Sequence, residues 1–255
     1  MKKEYNVISI RKRDGILVPF EKSKISSAIF RAMASLGTES EEKASHYAAL
    51  VVEKIKESTK GKEAPTVEGV QDLVEQVLIE KGEVRLARAY ITYREKRTEV
   101  RNEKKQILEK DRVDEVDKTF DVNALRVLKS RYLEKDEEGH LAESPKDLFR
   151  RVAIHAYLPS LLYDKALFRK RSEKNIHPDE ETQEKELAGK LFVGSYELNV
   201  FHIQGLKLAY DRLHRDGNMK HPWSKVVGMI HNGELAAHEK GIERFYNAMW
   251  QKKFL

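Results

Sequence analysis

Cysteine is missing from all 255 residues. That excludes disulfides, thiolate zinc sites, iron–sulfur ligation by cysteine, and any nucleophilic or radical step carried on sulfur. Glycine and proline are sparse, at 13 and 6 residues, and aromatics make up only 8%, which argues against a β-sandwich, a collagen-like chain or low-complexity disorder. No run approaches the roughly 18–20 apolar residues that span a bilayer, and the opening MKKEYNVISI is too polar for a secretory signal. A cytoplasmic protein with no membrane partner is expected. Charge, by contrast, is plentiful: 48 basic residues against 42 acidic give a formal net charge of +6. The excess is small and the signs are interspersed, so an anionic ligand is permitted while nucleic-acid binding is not argued. The fold class is mainly α, and the length suits two domains.

Two short β-prone runs, residues 6–12 and 16–20, flank Arg13-Asp14-Gly15, and Asp-Gly between such runs signals a hairpin. From Lys22 the period changes to about 3.6, with Ile25, Ile29, Met33 and Leu36 on one face before Gly37. A second helix from about Ser40 aligns Ala44, Ala48, Val51 and Ile55. A third, opened by Pro65-Thr66, carries Val67, Val70, Val74 and Val77. A fourth carries Val84, Ala87 and Ile91, with Leu86, Tyr90 and Tyr93 beside them. One hairpin and four helices give a domain over residues 1–101. Residues 102–118 are nearly all charge and read as a linker or solvated helix.

A second, all-helical domain is expected over residues 119–255. Ser144-Pro145-Lys146-Asp147 supplies a capping hydroxyl, a proline at the first helical position and an acid at the third. Further helices are expected over 196–214, 222–230 and 234–251. His177, His202, His214, His221, His231 and His238 lack a compact ligand pair, so no metal site is expected. Trp223, Phe245, Tyr246 and Trp250 read as packing residues.

Arg11, Lys12, Arg13 and Lys24 lie close in sequence, with Lys12 on the opposite strand face from Arg11 and Arg13. Such a run usually serves as a solvated edge that discourages sheet-to-sheet association; near helix N-termini it can form an anion cradle instead. Thr66 reads as an N-cap or as a ligand hydroxyl. Periodicity does not separate these readings.

The sequences IRKRDGILVPFEKSKISSAIFRAM, PTVEGVQDLVEQVLIEKG and VRLARAYITYREKR, in this order, resemble the ATP-cone, the nucleotide-sensing module at the N-terminus of ribonucleotide reductases. The resemblance implies a four-helix bundle capped by a small β-hairpin or sheet, with ATP or dATP bound beneath it as effector, accompanied by Mg²⁺. It places Lys12 and Arg13 on phosphate or base, Lys24 on phosphate, Thr66 near the adenine, and Arg94 or Lys96 as the basic residue of the fourth helix. Ile10 is expected to offer backbone contacts to the base. Glu21 stands where the family often carries Asp or Asn, at the position expected on the ribose.

NALRVLKSRYLEKDEEGHLAESPKDLFRRVA and IERFYNAMWQKKFL resemble the helical region ahead of the catalytic barrel of reductase large chains. The family makes deoxyribonucleotides, the precursors of DNA, with a thiyl radical and a dithiol. A chain without cysteine therefore has no catalytic residues of its own and is expected to be a regulatory N-terminal portion, partnered by a catalytic barrel on the same or a separate chain and by further copies of itself. Adenosylcobalamin or a di-metal radical cofactor is expected only in that catalytic part. The rivals are an ATP-cone regulator, whose zinc ribbon needs four cysteines, and a non-catalytic helical adaptor with a degenerate nucleotide site.

Overall fold

The computed structural model describes residues 7–13, 15–59, 63–170 and 184–253. The expectations placed on Asp14 and His177 lie outside the described residues. The chain divides after Asn102 into two compact units.

In the first unit, β1 (Ser9–Arg11) and β2 (Leu17–Pro19) pair antiparallel with Ile10 opposite Val18. Gly15 has φ +82°, a left-handed conformation that glycine enters without a Cβ penalty. Four helices follow: α1 (Lys22–Ala34), α2 (Glu41–Thr59), α3 (Val67–Glu80) and α4 (Val84–Ile107). Apolar residues at three- and four-residue spacing close the bundle core, with Ile25 and Ile29 from α1, Val51 and Ile55 from α2, Val74 and Val77 from α3, and Leu86 and Tyr90 from α4. Burying such side chains contributes roughly 1.5–3 kcal/mol each. Ile10 and Phe20 pack on this core from the hairpin side. The hairpin is also tied to the start of α3, because the Arg11 amide donates to the Pro65 carbonyl at 2.8 Å and Arg11 bridges Thr66.

The charged stretch expected as a linker or solvated helix is helical at both ends but is not solvated throughout. Helix α4 continues to Ile107, and α5 (Glu115–Lys118) follows. Leu108, Val116, Lys104 and Asp117 are buried. The Lys104 ammonium donates to the carbonyls of Asp117, at 3.0 Å, and Phe120, and Lys110 pairs with Asp117. Charge alone reads as solvated, yet here it satisfies the carbonyl end of α5.

The second unit continues with α6 (Val122–Arg131), α7 (Pro145–Leu161), α8 (Glu184–Leu187), the two-residue strands β3 (Phe192–Val193) and β4 (Tyr196–Glu197), α9 (Val200–Arg215), α10 (Trp223–His231), a 3-10 turn over Ala236–His238, and α11 (Glu239–Trp250). The α7 start is the expected capping box: Ser144 Oγ accepts from the Asp147 amide and Asp147 accepts from the Ser144 amide. The helix expected from residue 196 begins instead at Val200. Asn199 caps it, accepting from the His202 amide at 2.9 Å, and residues 192–197 form the small antiparallel hairpin. The helix expected from residue 234 begins at Glu239, after the 3-10 turn. Leu158, Leu161, Ile203, Leu206, Trp223, Val226 and Ile242 build the core, whereas Phe245, Tyr246 and Met249 are only partly buried against it.

Gly241 faces α7 so closely that an added Cβ would overlap the Tyr157 ring. That ring is held by a 2.9 Å hydrogen bond between its hydroxyl and His238 Nδ1 and by edge contact with Phe245. Gly241→Ala is expected to lower stability by about 1–3 kcal/mol, as overpacking does. Urea unfolding followed by tryptophan fluorescence checks this, since both tryptophans lie in this unit. An unchanged midpoint would mean that the ring swings aside freely.

Candidate functional site

Under the hairpin, α1, α3 and α4 of the first unit enclose a cleft of about 440 Å³, within the range of about 300–1,000 Å³ common for small-molecule sites. Its wall carries six cations, Arg13, Lys24, Arg31, Arg94, Arg97 and Arg101, together with Ser23, Ser27, Ala28, Val67, Gln71, Tyr90 and Tyr93. Among the described residues no acidic side chain lines it. Helical spacing explains the convergence: Lys24, Ala28 and Arg31 share a face of α1, and Tyr90, Arg94, Arg97 and Arg101 share one of α4. The hairpin delivers Arg13 because β1 is anchored to the α3 entry, which also supplies Val67.

The six charges are not equally available. Arg13 pairs with Glu68, and Lys24 meets Glu21 at 2.7 Å with both side chains largely exposed, a contact that contributes little in water. Arg94 donates to Asp72 at 2.8 Å and Glu75 at 2.7 Å. Burial works against its charge, but the two carboxylates hold its pKa above the ordinary value. Arg31, Arg97 and Arg101 have no carboxylate partner among the described residues. Arg31 and Arg97 instead both donate to the Tyr93 phenol oxygen, each at 3.2 Å, and the Arg97 guanidinium lies 5.9 Å from the centre of that ring. Two like charges are thus brought against one neutral oxygen, an arrangement that an anion would relieve.

Of the residues singled out by sequence, the structure brings Arg13, Lys24 and Arg94 to the cleft wall. Lys12 and Lys96 are exposed and do not line it. Ile10 packs on the core. Glu21 occupies the N-cap position of α1 without capping it through its side chain. Thr66 caps α3, its hydroxyl accepting from the Gly69 amide at 3.0 Å, and stands beside the lining residue Val67. Sequence reasoning missed Arg31, Gln71, Tyr93, Arg97 and Arg101. The signal lies in the three-, four- and seven-residue spacing of the cations on α1 and α4.

A nucleotide fits the chemistry of this wall. Guanidiniums without a carboxylate suit phosphate, tyrosine rings and Val67 suit a base, and Gln71 Oε1 is a buried acceptor with no partner among the described residues. Elsewhere, Asp136, Glu138 and His140 form an exposed group, but Asp136 Oδ1 is engaged by the amides of Glu138 and His140, as in a tight turn.

Residues 8–99 match the ATP cone domain family, and residues 118–255 match the all-alpha domain of ribonucleotide reductase. The chain therefore belongs to the ribonucleotide reductase family, as an ATP-cone joined to that all-alpha domain. It is 35% identical over 250 residues to a vitamin B12-dependent ribonucleoside-diphosphate reductase of Thermoplasma acidophilum, covering 96% of this chain and 29% of that protein. A protein described in the same words from Mycobacterium tuberculosis is 35% identical over 144 residues, 56% of this chain and 19% of its own length. An anaerobic ribonucleoside-triphosphate reductase of Salmonella typhimurium is 33% identical over 96 residues, 38% of this chain and 13% of its own. The chain thus spans less than a third of the length of these relatives. Among the described residues, no helix is long and apolar enough to cross a membrane.

Proposed function

We propose that this chain is the effector-binding N-terminal portion of a ribonucleotide reductase, and that ATP and dATP compete for the cleft between α1, α3 and α4. The observation that carries this reading is the cluster of guanidiniums without carboxylate partners around Tyr93, inside a family match to the ATP cone. Lys24, Arg31, Arg97 and Arg101 hold the phosphates, and Arg13 closes the hairpin side. Regulation follows only if each nucleotide contacts two arrangements of the assembly differently.

The relatives' names extend the reading to reduction of ribonucleoside diphosphates in a catalytic part that depends on vitamin B12. Adenosylcobalamin supplies the radical there. With no cysteine, the present residues bind the effector and leave the thiol steps to that part.

Calorimetric titration tests the proposal. ATP and dATP are expected to release heat and saturate the chain, and Lys24→Ala is expected to weaken binding by about 1 kcal/mol or more, roughly fivefold, on the scale of a charge-assisted hydrogen bond. An absence of heat with either nucleotide would favour the adaptor with a degenerate cone.

A further inference from the structure

In the second unit the Tyr157 hydroxyl lies 2.9 Å from His238 Nδ1, and His238 Nε2 lies 3.0 Å from Asp164 Oδ2. Tyr157 belongs to α7, Asp164 follows the end of that helix, and His238 closes the 3-10 turn ahead of α11. Gly241, three residues after His238, lets the phenol ring lie against the α11 backbone. Asp164 Oδ1 also accepts from the Ala166 amide at 2.8 Å, and this bond, with that to His238, holds the carboxyl below its ordinary pKa and so ionised. An ionised carboxylate only accepts. Nε2 therefore carries the imidazole hydrogen, Nδ1 is bare, and the phenol is the donor. The order runs from phenol to imidazole to carboxylate, the arrangement in which a histidine–aspartate pair takes a proton from a hydroxyl.

The Tyr157 ring is partly buried and meets the Phe245 edge, which suits loss of an electron, a step that needs no contact with the acceptor, better than attack on a bound substrate. We propose that Tyr157 is a site of one-electron oxidation at which this unit quenches strongly oxidising radicals. The oxidant takes one electron from the phenol ring, the Tyr157 O–H bond breaks, and an N–H bond forms on His238 Nδ1. The products are the reduced oxidant, a neutral phenoxyl radical and an imidazolium whose charge the Asp164 carboxylate balances. Other tyrosines are less suited to this step. The Tyr47 hydroxyl donates to the Glu83 carboxylate at 2.7 Å, a weaker base than an imidazole. The Tyr210 hydroxyl donates to the His221 carbonyl, which does not take up a proton, and the Tyr93 oxygen faces two guanidiniums that oppose positive charge.

The test oxidises the full chain with a photo-excited ruthenium complex and a cobalt(III) acceptor, and follows the tyrosyl radical by electron paramagnetic resonance and transient absorbance in water and in deuterium oxide. The native chain is expected to form the radical with a solvent isotope effect. Tyr157→Phe, which keeps the ring, is expected to remove most of the signal. His238→Gln, which can hold the hydrogen bond but not take the proton, is expected to slow the oxidation about 100-fold, the scale of a positioned general base, and to abolish the isotope effect. Should His238→Gln lose its native urea midpoint, Asp164→Asn is read instead; it leaves the histidine but removes the balancing charge, and is expected to slow the oxidation about tenfold or more. A signal that survives in Tyr157→Phe would place the oxidised residue elsewhere and overturn the proposal. So would an unchanged rate in the folded His238 or Asp164 variant.

Discussion

Arg31→Ala combined with Arg97→Ala is expected to weaken ATP binding by about 100-fold to 1,000-fold. Each guanidinium lacks a carboxylate partner among the described residues and donates only to the Tyr93 phenol. A charge-assisted hydrogen bond to phosphate contributes about 1.5–3 kcal/mol, and two losses at the lower end of that range make two to three decades in affinity. The same change has the opposite effect on the empty chain. Removing two like charges held against one oxygen relieves repulsion, so the melting temperature without nucleotide is expected to stay level or rise, as happens where stability is given up for function. Lys96→Ala serves as the control, because Lys96 is exposed and off the cleft wall; its affinity for ATP is expected to remain within about twofold. Titration at one fixed ionic strength reads all three results. A Lys96 loss as deep as that of the arginine pair would move the site elsewhere.

Acidification is expected to destabilise the second unit through His202. Its ring is 3% exposed, Nδ1 accepts from the Asn199 amide at 3.1 Å, and Nε2 lies 3.0 Å from the Arg151 carbonyl. With Nδ1 accepting, Nε2 carries the hydrogen and donates, so the packed ring is neutral. Burial pushes its pKa from 6.5 down to about 4. The folded state therefore binds this proton less readily than the unfolded chain. The stabilisation is present above about pH 6.5 and is lost as pH falls toward 4, by about 3 kcal/mol at 1.36 kcal/mol per pKa unit. Urea unfolding read by tryptophan fluorescence at pH 7 and at pH 4 measures it. In His202→Gln, which does not titrate, the difference between the two pH values is expected to shrink by about that amount. An equal pH dependence in both proteins would place the acid sensitivity elsewhere.

The sequence was most legible where one local rule acted alone. The faces of α1 to α3 followed from the 3.6-residue period, except that Leu36 lies beyond the end of α1 and is exposed, the hairpin from its turn residues, and the α7 start from Ser144, Pro145 and Asp147. It was least legible where a short element owes its existence to packing. Strands of two residues at 192–193 and 196–197 are too brief for any period, and a helix pattern running through Tyr196 conceals that Asn199 caps α9. Lys104 is a similar case, since a lysine in a charged run reads as solvated, while its role is fixed by carbonyls 13 and 16 positions away.

The cleft shows both limits. The ATP-cone resemblance pointed to the hairpin and α1, and Arg13, Lys24 and Arg94 do reach the wall. Yet the residue types it emphasised are largely occupied, Arg13 by Glu68, Arg94 by Asp72 and Glu75, and Thr66 by its own helix. Arg31, Arg97 and Gln71, whose charge or acceptor is left for a ligand, emerge only when α1, α3 and α4 are packed together. Spacing can nominate a helical face, but the availability of a charge depends on which carboxylates the fold sets beside it.

The most direct measurement is a crystal structure of the chain grown with ATP. The account predicts the triphosphate among Lys24, Arg31 and Arg97, with the base in the same cleft. Nucleotide bound elsewhere, or a cleft left empty at saturating ATP, would contradict it.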